Sequence, residues 1–227
     1  SAQAGNLAEN RWKSLNDSLL ENKISLEPAD LRRLETEFLN ANAANDCDRK
    51  ISVAFKLSRA VAKQQQSLIY PSMIGDIESC TDYQDPYLQF FLGNAAFAQH
   101  NFPLRMEHYE QSVAQLKKGD QDNVSYLAQF NLSSALNNAG QHHRAIEVLT
   151  DLIASNNPGV DLNRNNILLN LAAMRMSDYQ FETALETLAK IDRSELEERF
   201  VDILHFNELI IFQHLGATAQ SDSIWKQ

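Results

Sequence analysis

The chain has 227 residues, with 30 acidic and 20 basic side chains and a formal charge of −10. Such a surface repels a phosphate backbone, which disfavours general nucleic-acid binding. No apolar run approaches the roughly 18 residues that a membrane-spanning helix needs. Only seven glycines and five prolines occur. Because a sheet-rich fold needs more turn residues than this, the composition predicts an all-α protein.

Residues 1–85 predict an N-terminal region made of a capping helix, a degenerate helical hairpin and an irregular connection. The capping helix is predicted over roughly 6–22. The stretch "SLEPADLRRLETEFLNA" predicts a helix that starts near Pro28, with Leu34 and Phe38 on its apolar face. "DCDRKISVAFKLSRAVAKQQQ" predicts a second amphipathic helix, and "SLIYPSMIGDIESCTDYQDP" predicts the irregular connection.

Cys47 and Cys80 leave two interpretations open. An even cysteine count is compatible with one disulfide in an oxidising compartment, and the irregular connection can carry Cys80 back towards Cys47. The alternative is two free, buried thiols. Neither cysteine lies in a CxxC motif or near a histidine at ligand spacing, so we expect no zinc site.

Three segments of the chain repeat one pattern. They start at Phe91, Asn131 and Asn170, at offsets of 40 and 39 residues, and each has a leucine followed by a small residue. A polar turn follows about eight residues after the small residue, and then a second amphipathic run. A weaker copy starts at Asn207. Since a small side chain lets the paired helix cross closely, the pattern predicts stacked helical hairpins. The predicted repeats are 86–125, 126–164, 165–201 and 202–227.

These residues resemble the tetratricopeptide repeat (TPR) superfamily. "LGNAAF" with Phe102 and Tyr109 matches its signature in the first copy, and Ala145 and Ala184 match its alanine in the next two. Arg105 replaces that alanine in the first copy, which predicts a splayed hairpin there. The resemblance covers 86–227 and implies an all-α fold, with TPR-like helical hairpins stacked in one continuous right-handed solenoid.

The resemblance also implies a concave groove lined by the first helix of each hairpin. Carried onto this chain, the groove residues are Tyr87, Phe90, Asn94, Phe97, Phe130, Asn131, Asn138, Asn166, Asn170, Phe206 and Asn207. An aromatic stripe at helical spacing is more often core than a binding platform, so the aromatic members stay open to both interpretations. The carboxylate clamp of chaperone-binding relatives is incomplete, because Phe90 stands at a lysine position.

No residue is predicted to be catalytic. The phosphate-loop, paired-glycine, HExxH and GxSxG patterns are all absent, and the six histidines are scattered. We therefore expect no enzyme activity, no cofactor and no bound metal.

The expected function is a protein-interaction module that binds a peptide or a partner protein in the concave groove. Two cysteines, the small-x-small "AQA" near the start and an end inside a hairpin favour the sensor or scaffold region of a bacterial extracytoplasmic signalling protein. "AQA" is equally compatible with a tag remnant. A small-molecule ligand sensor and a free-standing periplasmic or cytoplasmic adaptor are the alternatives.

Overall fold

The computed structural model describes residues 28–64, 73, 75–77, 79–80, 85–98, 100–116, 123–217 and 220–221. These residues form nine α-helices and one short 3-10 helix, and no strand occurs among them. The predicted all-α fold of helical hairpins is therefore confirmed. The capping helix predicted over 6–22 lies outside the described residues.

The chain divides into two compact units, Ser1–Lys117 and Lys118–Gln227. Their boundary lies inside the segment 86–227 that is predicted to be one solenoid, and the continuity of that solenoid stays a prediction. The helices of unit 1 are α1 (Pro28–Ala43), α2 (Cys47–Gln64), α3 (Pro86–Ala98) and α4 (Phe102–Gln115). Those of unit 2 are α5 (Asn123–Asn138), α6 (His142–Ala154), α7 (Pro158–Ser177), α8 (Phe181–Leu188) and α9 (Glu198–His214), with the 3-10 helix at Arg193–Glu195.

The same backbone turn ends the first helix of every hairpin. One residue of each turn has a positive φ, between 52° and 74°. The N–H group of the residue after the positive-φ residue, three positions past the helix end, bonds the carbonyl five residues back, as in Gln141 to Leu136 at 2.9 Å. This is the Schellman arrangement, which satisfies helix carbonyls that otherwise lack a partner. The positive-φ residues are Asn45, His100, Gly140, Tyr179 and Gly216.

Small residues let the two helices of a hairpin approach each other. Gly93 on α3 lies against the ring of Tyr109 on α4. Ser133 and Ala145 are fully buried in the next hairpin, as are Ala172 and Ala184 in the one after it. The predicted role of these positions in helix crossing therefore agrees with the structure. The hairpin at Arg105 is not splayed, because the guanidinium lies over the ring of Phe97, 4.5 Å from its centroid.

In unit 1, one disulfide and one hydrogen bond hold the segment after α2 against the first hairpin. A disulfide joins Cys47 to Cys80, with their Cα atoms 5.5 Å apart. Lys50 is buried, and its Nζ donates a hydrogen bond to the Asp76 carbonyl at 3.0 Å. Met73 and Ile77 of the same segment are also buried. The segment thus packs as part of unit 1.

In unit 2, the core lies where neighbouring helices pack against one another. One cluster joins residues of α7, α8 and α9, among them Leu168, Ala184 and Ile211. The turn after α8 is fixed from one side by Asn165, whose amide bonds the Asp192 backbone N–H and carbonyl at 3.1 and 3.0 Å. This packing places α7 and α9 beside each other.

Candidate functional site

The first helices of the hairpins in unit 2 form one wall. Helix α5 contacts α7, and α7 contacts α9. These three helices carry predicted groove residues, together with other side chains at the same helical spacing. We call this set the first-helix wall; its members are Leu127, Phe130, Asn131, Ser134, Asn166, Asn170, Ala173, Ile203, Phe206, Asn207 and Ile210.

The four asparagines of the wall, Asn131, Asn166, Asn170 and Asn207, differ in their surroundings. Asn131 is half-buried and has a bonding partner. Asn170 Nδ2 donates to the Asn166 carbonyl at 2.8 Å and to Asn166 Oδ1 at 3.1 Å, so its donors are used within α7. Asn207 is only 9% exposed and contributes to the lining of a depression between α7, α8 and α9.

The aromatic side chains of the wall are accessible to different degrees. Phe130 is half-buried beside Tyr126, with ring centroids 6.0 Å apart. Phe206 is 61% exposed and its neighbour Ile203 is 45% exposed. Asn138, at the end of α5, is exposed as well. The apolar surface that a partner can reach is thus concentrated on α9.

In unit 1 the predicted groove residues divide between core and surface. Tyr87 and Phe90 are buried, and the Phe90 ring packs on Phe91 and Tyr109. This corrects their assignment to a groove, because α3 turns that face towards its neighbouring helices rather than towards a partner. Asn94 Oδ1 accepts a hydrogen bond from the Tyr109 hydroxyl at 2.7 Å, and Phe97 is 53% exposed.

A depression of about 300 Å³ that the sequence did not predict lies where α7 and α9 end and α8 begins. Its lining is both apolar and polar and consists of Ala173, Met176, Ser177, Tyr179, Phe181, Asn207, Ile210 and His214. The rings of Phe181 and His214 stack on each other, with centroids 4.2 Å apart and planes 10° from parallel. The residues come from three helices, so no local sequence pattern brings them together.

Unit 1 holds two buried ionisable groups on α4. His108 is fully buried and bonds Gln89 Oε1 at 2.8 Å, and burial lowers the pKa of His108 to about 4. Arg105 is buried as well, and burial lowers the pKa of its guanidinium.

A search for metal-ligating clusters and membrane spans covered the described residues. No group of three His, Cys, Asp or Glu side chains is arranged there to hold a metal ion. Among the same residues no helix is long and apolar enough to cross a membrane.

Comparison with known proteins gives a structural likeness only. No family model matches the chain, and no curated protein is significantly similar to it. Two crystal structures of a Podosopora anserina putative kinesin light chain with nearly identical TPR-like repeats, one of them a point variant, superpose on it with TM-scores of 0.50. The fold is that of TPR-like repeats. The variant is 21% identical and the other structure 19%, over 89% and 88% of this chain and 94% and 93% of theirs.

Proposed function

We propose that the protein is a non-catalytic interaction module whose first-helix wall in unit 2 binds an extended segment of a partner protein. The observation that carries the proposal is the exposed apolar surface of α9, where Phe206 is 61% and Ile203 is 45% exposed beside Asn207.

The chemistry of the wall favours a peptide main chain as the ligand. An asparagine amide offers both a donor and an acceptor, which match the carbonyl and N–H groups of an extended backbone. Ile203 and Phe206 add exposed apolar surface next to it, and contiguous apolar patches of this kind mark interaction sites. The wall contains no lysine or arginine, so it cannot grip a terminal carboxylate by charge.

A variant comparison tests the proposal. Asn131, Asn170 and Asn207 are changed together to alanine, and a photo-crosslinking residue at position 206 identifies the partner in cells. A matched control changes Thr150, Asp151 and Glu186 to alanine, three exposed residues on the second helices α6 and α8. We expect the wall variant to lose the partner with an unchanged melting temperature, and the control variant to keep it.

Two results contradict the proposal. Unchanged binding by the wall variant places the partner elsewhere on the protein. A collapse of the melting temperature means that the asparagines serve the stability of the fold and that the partner binds elsewhere.

We further propose an extracytoplasmic setting, as the sensor or scaffold region of a bacterial signalling protein. The Cys47–Cys80 disulfide supports it, because disulfides persist in oxidising compartments and are rare in the cytosol. The test is thiol alkylation of the protein in its native cell. We expect both cysteines to resist alkylation until a reductant is added, and two alkylated thiols in untreated cells contradict the setting.

A further inference from the structure

Each hairpin buries the residue that lies five positions after the positive-φ residue of its turn. In unit 2 these buried residues are small, namely Ala145, Ala184 and Ser221. In unit 1 the same position carries a cation, Lys50 in the first hairpin and Arg105 in the second, and both are buried. A buried charge costs free energy unless it is paired or hydrogen-bonded. Departures of this kind from a local packing pattern are expected at functional positions.

Lys50 shows what a cation at this position can do. Its Nζ donates hydrogen bonds to the Asp76 carbonyl at 3.0 Å and to Asn42 Oδ1 at 3.4 Å. The segment that carries Asp76 lies outside the hairpin, and its Met73 and Ile77 are buried. The cation of the first hairpin therefore binds an oxygen atom of a segment that also packs through apolar side chains.

Arg105 has no comparable segment against it. Its guanidinium lies 4.5 Å from the ring centroid of Phe97 and 5.7 Å from that of Tyr109, which also bonds it. Within the described part of the chain no carboxylate acts on its charge, and its Nε atom is buried without a hydrogen bond. Burial lowers the pKa of this guanidinium, which means that the two rings do not fully replace the lost hydration.

Exposed rings flank the α3–α4 turn next to Arg105. The Phe97 ring, which lies over the guanidinium, is 53% exposed. Phe102, three residues before Arg105 on α4, is 51% exposed, and the ring of the exposed His100 lies 6.3 Å from it. The side chain that covers the charge is therefore itself half-exposed, and apolar surface lies beside it.

We propose that the α3–α4 turn region is a second interaction surface, on which Arg105 pairs with an acidic side chain of a partner protein. The partner presents a glutamate or aspartate next to an apolar residue. Its carboxylate approaches the guanidinium at the edge of the Phe97 ring, and the apolar neighbour packs on Phe97 and Phe102. Charge complementarity selects this occupant, because a carboxylate matches a guanidinium in both charge and planar geometry. The surface lies in unit 1, so the inference does not depend on the first-helix wall of unit 2.

Capped peptides test the surface without knowledge of the partner. N-acetyl-Leu-Glu-Leu-amide carries a carboxylate between apolar side chains, and N-acetyl-Leu-Gln-Leu-amide is its uncharged isostere. Each is titrated into the full chain while NMR follows the Arg105 Nε–H group and the Phe97 ring. We expect saturable shifts with the glutamate peptide. The glutamine peptide should bind about tenfold or more weakly, because it cannot form the ion pair.

Arg105→Met separates binding from folding. Methionine keeps an unbranched side chain that packs on the same two rings, but it carries no charge. The variant should bind the glutamate peptide about tenfold or more weakly. Its melting temperature should stay unchanged or rise, because a buried charge without a carboxylate is removed. Arg144→Met, at an exposed arginine on α6, is the matched control and should leave the affinity unchanged.

Two results overturn the proposal. One is a glutamate peptide that gives no saturable shift, or that binds no better than the glutamine peptide. The other is a clear fall in the melting temperature of Arg105→Met, which would show that the guanidinium serves the fold. Neither result bears on the first-helix wall, whose test is the triple asparagine variant in unit 2.

Discussion

The ring of Tyr109 occupies the space beside Gly93 where any other residue would carry a side chain. A Cβ atom on Gly93 would lie 2.5 Å from Tyr109 Cε1 and 2.6 Å from Cδ1. The same tyrosine bonds Asn94 through its hydroxyl group at 2.7 Å. The pair thus sets how closely α3 and α4 approach, which accounts for a glycine inside a helix where it costs about 1 kcal/mol relative to alanine.

Overpacking this contact should destabilise unit 1. We expect Gly93→Leu to lower the free energy of unfolding by about 1–3 kcal/mol, because the ring is rigid and must move with its helix. Ala145→Leu in unit 2 should cost a similar amount, since Ala145 is fully buried against its partner helix. Urea unfolding followed by circular dichroism measures both.

Gly75 provides the matched control for the glycine change. It is exposed, and no atom lies within 4 Å of its added Cβ. Gly75→Leu should leave the free energy of unfolding within about 0.5 kcal/mol of the original. Equal losses at the two glycines would mean that the hairpin contact is not what Gly93 provides.

Substitutions at two equivalent positive-φ positions should change the free energy of unfolding in opposite directions. Gly140 and His100 hold the same place in their hairpins, with φ values of 74° and 57°. A side chain in this conformation costs about 1–2 kcal/mol. Gly140→Ala should therefore lower the free energy of unfolding by about 1 kcal/mol. His100→Gly should raise it by up to about 1 kcal/mol, less the entropy that glycine adds to the unfolded chain.

Substitution of Gly140 by asparagine is the control for this turn prediction. It tolerates the left-handed conformation better than alanine and already occupies the equivalent position at Asn45. Gly140→Asn should thus be less destabilising than Gly140→Ala by thermal or urea unfolding. If the two variants are equally destabilised, the conformational explanation of these turns is wrong.

The turns show which part of the fold can be predicted from the sequence. The polar turns of the last four hairpins recur at positions 100, 140, 179 and 216, and the spacing alone places them. Their physics is local, since a helix end needs a residue that accepts a positive φ. Asn45 lies 55 residues before His100, whereas the later turns are 37 to 40 residues apart. The repeat spacing therefore does not predict the first hairpin, which is predicted from its amphipathic pattern instead.

The groove shows which part of the structure cannot be predicted from the sequence. Phe90 and Phe206 both fit an aromatic position on a first helix, yet Phe90 is 3% exposed and Phe206 is 61% exposed. The difference depends on which helices pack beside α3 and α9, and that is a long-range property. The depression between α7, α8 and α9 depends on it even more, because Phe181 and His214 stack across 33 positions of the chain.

The buried histidine of unit 1 makes stability depend on pH. Burial lowers the pKa of His108 from 6.5 to about 4, so the unfolded chain binds a proton at a pH where the folded chain does not. His108 therefore destabilises the folded state as the pH falls from about 6.5 towards 4, and the full stability is present above 6.5. Between pH 7 and 4.5 we expect His108 to account for a loss of about 2 kcal/mol in the free energy of unfolding.

A variant isolates this contribution from the carboxylates that titrate in the same range. His108→Met removes the proton site and leaves a side chain that suits a buried position. Its free energy of unfolding should fall less between pH 7 and 4.5 than that of the original chain, by about 2 kcal/mol. Parallel losses in the two proteins would contradict the lowered pKa.

The disulfide gives the last prediction, which concerns unit 1 alone. The bond between Cys47 and Cys80 closes a loop over a sequence separation of 33 residues. In the chain-entropy model such a loop stabilises the folded state by about 3–4 kcal/mol, because it restricts the unfolded chain. A Cys47→Ala/Cys80→Ala double variant should lose about that much in urea unfolding, and the same loss should follow addition of a reductant to the original chain.

Hydrogen exchange gives a sharper readout, since protection should fall around Lys50 and Ile77 while the fully buried Leu136 and Leu149 of unit 2 keep theirs. Mass spectrometry of the untreated protein should show the loss of two hydrogen atoms and no alkylated thiol. A reduced protein that keeps its stability would mean that the buried Lys50 and its bond to the Asp76 carbonyl suffice to hold the segment in place.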